Sequence, residues 1–221
     1  FLKPADPKLI EKTLKIYSLT PNHYFLYVGG YDERKQVKKL LATHALYVQA
    51  THARGEAVYP LVLVGGKAHT DALYADFDAA EDAAALAPEE KNFLTPAKNC
   101  ASVKVVRTGY IEEDVLAALY EASRGFLHFS RAEGFNIPLV QALAKHRPCG
   151  LSDIPIHREI AGEAAAFIDP EKAQAAEDLF RSFTTDAPLL EHLSQNAEQW
   201  CSSHNLRWST SAEMHLKIFE K

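Results

Sequence analysis

The stretch Phe126-Leu127-His128-Phe129-Ser130-Arg131-Ala132-Glu133-Gly134-Phe135-Asn136-Ile137-Pro138 decides the fold. Its first four residues show no polar alternation, the pattern of a strand covered on both faces, as in a parallel sheet. Gly134 and Asn136 then tolerate a tight or left-handed backbone. Pro138, near the first position of a helix, has no N–H to leave unpaired. The segment therefore reads as one strand–turn–helix unit, and within that strand His128 reads as a core histidine.

Working outward, the same unit recurs. Tyr24-Phe25-Leu26-Tyr27-Val28 ends in Gly29-Gly30, and a helix is expected from about Arg34, with Val37, Leu40, Leu41, His44, Ala45 and Val48 on one stripe. Leu61-Val62-Leu63-Val64 ends in Gly65-Gly66, and an alanine-rich helical stretch follows from about Thr70. Val103-Lys104-Val105-Val106 ends in Thr108-Gly109, and Glu112 to Ala122 reads as a helix. Pro148 to Leu151 and Ala165 to Ile168 are further strands. Asp6-Pro7 caps an opening helix over Pro4 to Leu19, and Asp169-Pro170 opens a helical tail broken near Pro188 and His204. Alternation at this pitch calls for right-handed crossovers. The expectation is an α/β fold: a doubly wound, Rossmann-like parallel sheet with a helical C-terminal tail. Its expected divisions are an N-terminal helix or interdomain segment over residues 1–20, the sheet domain over 21–203 and a final helix over 204–221.

Composition narrows the function. Over 221 residues, 24 basic and 29 acidic side chains give a net charge of -5, which offers no broad attraction for nucleic acid. No apolar run approaches the ~20 residues that span a bilayer. Three separated cysteines (Cys100, Cys149, Cys201) form neither a disulfide framework nor paired zinc ligands, and suit a cytoplasmic protein. The chain starts at Phe1, which points to an excised domain or a processed piece of something longer.

In a doubly wound sheet, ligands bind beyond the carboxyl ends of the strands, so the turns there carry the chemistry. Gly29-Gly30-Tyr31-Asp32-Glu33-Arg34-Lys35 places two cations where a helix is expected to begin. That end of a helix is already positive, so the cations suit a bound multivalent anion such as a diphosphate, or else are a solvated pair. Neither glycine turn has G-x-G-x-x-G spacing, which argues against a dinucleotide fingerprint. Glu133, alone at its strand end, suits hydrogen bonds to sugar hydroxyls, or simply a favourable place before a helix. Asp76-Phe77-Asp78 sits in an acidic alanine-rich stretch and reads as solvated surface. The histidines lack zinc spacing, and no nucleophile elbow is present.

Together these turns resemble the nucleotide-sugar-binding, C-terminal half of the two-Rossmann-domain (GT-B) retaining glycosyltransferases, family 4. The motifs that carry the resemblance are Tyr27-Val28-Gly29-Gly30 with Arg34-Lys35, Thr108-Gly109-Tyr110 before Leu116 to Tyr120, and Glu133-Gly134-Phe135-Asn136-Ile137-Pro138. Ser152-Asp153-Ile154-Pro155, Arg158 to Gly162 and Asp169-Pro170 follow in the family's order. The resemblance implies that Lys35 and Arg34 hold a diphosphate and that Glu133 binds the transferred sugar. It further implies that Gly29, Gly30, Gly134, Phe135, Asn136 and Ile137 cradle the donor, that Gly109, Tyr110 and Ile111 line a base pocket, and that Gln141 faces the ribose. The implied donor is a nucleoside-diphosphate sugar, GDP-mannose or a UDP-sugar, and no metal or other cofactor is called for. The implied product is a polysaccharide or glycolipid. The acceptor would bind a separate N-terminal domain, so this chain alone would bind a donor without transferring it, at the inner face of a membrane or free in the cytoplasm.

Three positions depart from the family. Gln141 stands where the family's second glutamate falls, Asn136 replaces the second glycine of G-F-G, and Gly30 stands where some members carry an arginine. These leave an alternative, a nucleotide-sugar-binding or scaffold module that has lost catalysis.

Overall fold

A computed structural model describes residues 3–66 and 105–204. Six parallel strands form one sheet: β1 Phe25–Val28, β2 Leu61–Val64, β3 Val105–Gly109, β4 Gly125–His128, β5 Cys149–Ser152 and β6 Ala165–Ile168. Their spatial order is β3-β2-β1-β4-β5-β6, with Phe25 beside both Leu61 and Gly125. The helices are α1 Pro7–Ile16, α2 Val37–Ala53, α3 Glu113–Ala122, α4 Ile137–Ala144, α5 Pro155–Ala161, α6 Ala173–Thr185 and α7 Ala187–Ser203. The expected doubly wound α/β architecture is present. β1, β2, β4 and β5 are buried along their whole length because helices cover both faces.

Strand alternation sorts the core into two layers. Leu26, Val62, Phe126 and Leu151 pack with Leu119, Leu139, Leu143 and Ile160 on one face. Phe25, Leu61, Leu63 and Leu127 pack with Leu40, Tyr47, Leu179 and Phe180 on the other. α7 serves both layers: Leu190 and Leu193 join the second, and Ala197 and Trp200 join the first. α1 contributes Leu14 to the first layer, and Glu121 on α3 accepts a hydrogen bond from the Ala5 amide at 2.9 Å. Residues 1–20, suggested above as an interdomain segment, thus include a helix seated on the sheet domain.

Element boundaries differ from the expectation at several places, four of which bear on the argument. α1 starts at Pro7, after the Asp6 carboxylate accepts from the Lys8 amide, and it ends at Ile16, before a left-handed Ser18. α2 starts at Val37 rather than Arg34, because Glu33–Lys35 form a 3-10 turn and Gln36 turns left-handed at φ 42°. β5 runs Cys149–Ser152. The tail breaks at Asp186, whose side chain accepts from the Leu189 amide; Pro188 lies in the first turn of α7, where it needs no partner. The alanine-rich stretch from Thr70, Asp76-Phe77-Asp78 and most of the suggested 204–221 helix lie outside the described residues.

The carboxyl edge is where the chain crowds. The Gly29 amide donates to the Val64 carbonyl and the Gly65 amide to the Gly109 carbonyl, which continues the ladder one residue past the strands. A Cβ on Gly65 would stand 2.5 Å from the Gly29 carbonyl oxygen, at a φ of +102°. Alanine at Gly65 is therefore expected to cost on the order of 2–3 kcal/mol and to lower the melting temperature. Gly134, with open space around its missing Cβ, should accept alanine with no loss. Equal melting temperatures for the two variants would contradict this account.

Candidate functional site

The strand order reverses between β1 and β4, β2 and β3 lying to one side and β5 and β6 to the other. This is the switch point at which an open α/β sheet leaves a crevice. The turns after β1 and β4, Gly29 to Lys35 and Phe129 to Asn136, meet there. The Arg34 carbonyl accepts from the Arg131 amide at 2.9 Å and from the Ser130 hydroxyl at 3.2 Å. The Arg34 guanidinium returns a bond to the Ala132 carbonyl at 3.0 Å. The Ser130 amide is fixed from behind by the Ser152 hydroxyl at 2.7 Å.

Glu133 sits at this seam with its side chain only 5% exposed. One carboxylate oxygen, Oε1, lies 3.1 Å from His128 Nε2 and 3.6 Å from Lys35 Nζ. The other, Oε2, lies 3.4 Å from the Arg34 guanidinium. Burial alone would raise the Glu133 pKa, but the His128 hydrogen bond and the Lys35 charge outweigh it and lower it to about 2. At neutral pH Glu133 is an anion that accepts hydrogen bonds and takes no proton. It does not act as a helix-entry carboxylate either. The N-cap of α4 is Asn136, left-handed at φ 67°, whose side-chain oxygen accepts from the Leu139 amide.

Most of the residues expected at the site converge on this crevice. Arg34 and Lys35 both reach Glu133, from the 3-10 turn rather than from the first turn of a helix. Gly29 lies against Lys35, since a Cβ there would be 3.4 Å from Nζ and 2.9 Å from the Tyr27 hydroxyl. Gly30 accepts from that hydroxyl at 2.6 Å, and a side chain there would meet only Asp32. Of Gly134 and Asn136, only Asn136 uses the left-handed region; Gly134 leaves backbone open to approach. Phe135 and Ile137 are 55% and 63% exposed beside it.

Gly109 closes β3 and Tyr110 and Ile111 follow it, three strand spacings from β4, or roughly 14 Å along the edge. Tyr110 is 74% exposed and Ile111 packs partly into the first core layer. α3, which follows that turn, reaches α4 through the Tyr120 hydroxyl, 2.9 Å from the Pro138 carbonyl and 3.4 Å from Gln141 Oε1.

Three contributors were not expected at the site from the sequence. His128 is fully buried between the Tyr27 and Phe126 rings, and its Nε2 serves Glu133 while Nδ1 has no partner among the described residues. His157 bridges the Ser152 carbonyl and the Asn136 amide, each at 2.9 Å, and so fixes the left-handed turn. Gln36 keeps its strained conformation through Glu171, which it shares with Lys39. A histidine near the end of a strand, five residues before a turn carboxylate, was the available signal for His128.

A match to the family of the glycosyl transferases group 1 runs over residues 11–200. The chain belongs to this family. It is 26% identical over 172 residues to the O-antigen chain mannosyltransferase B of Escherichia coli, covering 78% of this chain and 39% of that protein. The fold matches Anabaena Alr3699/HepE, solved with UDP and glucose, at a TM-score of 0.74 and 16% identity, over 100% of this chain and 54% of that one. It also matches the C-terminal domain of a glycosyl transferase group 1 family protein (LpcC) from Francisella tularensis at a TM-score of 0.67 and 14% identity, over 93% and 97% of the two chains. The fold is thus that of one GT-B half. Among the described residues, no helix is long and apolar enough to cross a membrane.

The buried histidines of this glycosyltransferase domain make its stability depend on pH. Burial lowers the pKa of both His44 and His128 to about 4, against 6.5 in an unfolded chain. Between those values the unfolded chain binds protons that the folded one refuses. The stabilisation is therefore complete above pH 6.5 and is lost as the pH falls towards 4, at about 1.4 kcal/mol per pH unit for each histidine. Urea unfolding at pH 7 and pH 5 should show a clear loss of stability at pH 5, and equal midpoints would contradict it.

Proposed function

We propose that this chain is the donor-binding, C-terminal half of a retaining glycosyltransferase. In this reading it takes a nucleoside-diphosphate sugar, with GDP-mannose the first choice and UDP-sugars the second. The sugar passes to a glycan or glycolipid acceptor during polysaccharide synthesis. One observation carries the reading: Glu133, Lys35 and Arg34 meet at the switch point of the sheet, beside open backbone at Gly134. Two cations suit a diphosphate, and an anion beside them suits hydroxyls. The mannosyltransferase relative supports the choice of sugar, and the UDP and glucose bound to Alr3699/HepE support the ligand class.

The chemistry of such a site is electrostatic. Charge developing on the departing diphosphate is met by Lys35, by Arg34 and by backbone N–H groups at the start of α4, and no metal is needed in this reading. Glu133, ionised throughout, orients the sugar without moving a proton. Tyr110, Phe135 and Ile137 offer exposed apolar surface for the base and sugar ring. The chain spans 39% of the length of its mannosyltransferase relative. The acceptor site belongs, in this proposal, to a further domain, and the chain alone binds without transferring. Work in the cytoplasm, at the inner face of a membrane, is part of the same reading.

Gln141 favours a second reading, a binding or scaffold module. Its amide lacks the charge that strengthens a ribose hydrogen bond, and its oxygen already lies near the Tyr120 hydroxyl. Titration calorimetry with GDP, UDP and ADP, with and without EDTA, tests the donor reading. The expected result is binding of one diphosphate, indifferent to EDTA and weakened at least tenfold in Lys35→Ala. Saturation at 100 times the dissociation constant should add about 2.7 kcal/mol of stability. Binding that requires a divalent metal, or binding unchanged in Lys35→Ala, would contradict it. In a longer protein carrying this chain, Glu133→Gln should abolish turnover; retained biological activity in that variant would favour the module.

A further inference from the structure

A bound diphosphate would compete for part of the hold on Glu133. Two of its three ionisable partners are Lys35 and Arg34, the cations that a diphosphate would draw away, while the Ser130 side chain is a further hydrogen-bond partner. Both cation contacts are long, at 3.6 and 3.4 Å, and the Arg34 side chain is 46% exposed. Such pairs are easily exchanged. The third contact differs in kind. His128 Nε2 lies 3.1 Å from Oε1 on a ring with no exposure, between Tyr27 at 5.2 Å and Phe126 at 5.7 Å.

The proton on that ring is located by what surrounds it. Glu133 only accepts, so Nε2 carries the hydrogen, and Nδ1 is left buried without a partner among the described residues. An orphaned ring nitrogen is not what sets His128 apart, since the core residue His44 likewise bonds the Tyr59 carbonyl through Nε2 and leaves Nδ1 unpartnered among the described residues. The difference is the group that Nε2 faces: a backbone carbonyl for His44, the site carboxylate Glu133 for His128. Being neutral, His128 holds the carboxylate without cancelling its charge.

We propose that His128 is a positioning residue for sugar recognition: its Nε2–H fixes the Glu133 carboxylate once Lys35 and Arg34 turn to the diphosphate. Oε2 and the remaining lone pair of Oε1 are then free for hydroxyls of the transferred sugar. The proposal rests on the donor-site reading above and adds to it the group that makes Glu133 a preformed acceptor.

The test compares GDP with GDP-mannose, and UDP with UDP-glucose, on this chain by calorimetry. The quantity read is the affinity for the sugar nucleotide divided by that for its nucleoside diphosphate. His128→Phe, which keeps a ring and loses the donor, should lower this ratio about tenfold. His128→Gln, whose amide N–H extends to the same place, should bring it within threefold of the original. If His128→Phe weakens both ligands alike and leaves the ratio unchanged, the residue is structural and the proposal fails. An original ratio near one also overturns it, while the donor-site reading stands. Failure of the unaltered chain to bind any of the four ligands overturns the donor reading itself. Should His128→Phe not fold, nitrogen-15 spectra of the unaltered chain with GDP-mannose bound decide the matter. A hydrogen-bonded Nε2–H tautomer at His128 supports the proposal, and an Nδ1–H tautomer refutes it.

Discussion

A carboxylate that is nearly removed from water organises this end of the molecule. Ionised Glu133 at 5% exposure would cost several kcal/mol if it stood alone. Its compensation comes from two places: Lys35 and Arg34 in the turn after β1, nearly a hundred positions away in sequence, and His128 at the end of β4. The sheet supplies the geometry, since the reversal of strand order between β1 and β4 is what lets two loops leave in opposite directions and still meet at one edge.

The same interaction explains why the crevice is built from short, rigid turns. Gly29 and Gly65 allow two backbones to touch, which keeps Lys35 close to the strand ends. Asn136 takes a left-handed conformation that most residues avoid and is held in it by His157. The strain is compensated by a hydrogen-bonded chain that runs back to Ser152. A site held this way is assembled before a ligand arrives, which is what electrostatic stabilisation of a leaving group requires.

Much of the architecture was legible in the sequence, for identifiable reasons. Uninterrupted apolar quartets ending in glycine marked buried parallel strands, and Ala165 to Ile168 matches a strand residue for residue. Glu133, Lys35 and Arg34 could be placed at one edge because the topology brings the turns of β1 and β4 together. The helical register at Arg34 was not legible: Gln36 turns left-handed under the hold of Glu171, a contact 135 positions away that no local pattern encodes. His128 was read as a satisfied core residue for a similar reason. Only the folded turn shows that one ring nitrogen faces a carboxylate and that the other has no hydrogen-bond partner among the described residues.

The central claim is that a nucleoside diphosphate sits across the joined turns at the β1–β4 switch point, held by Lys35 and the start of α4. Amide chemical-shift mapping of the isotopically labelled chain during titration with GDP, and then UDP, addresses it most directly. The account predicts that the largest shifts fall on Gly29 to Lys35 and on Glu133 to Ile137, with a smaller group at Gly109 to Ile111. Shifts concentrated on α6 and α7, or scattered without relation to the carboxyl edge of the sheet, would contradict it.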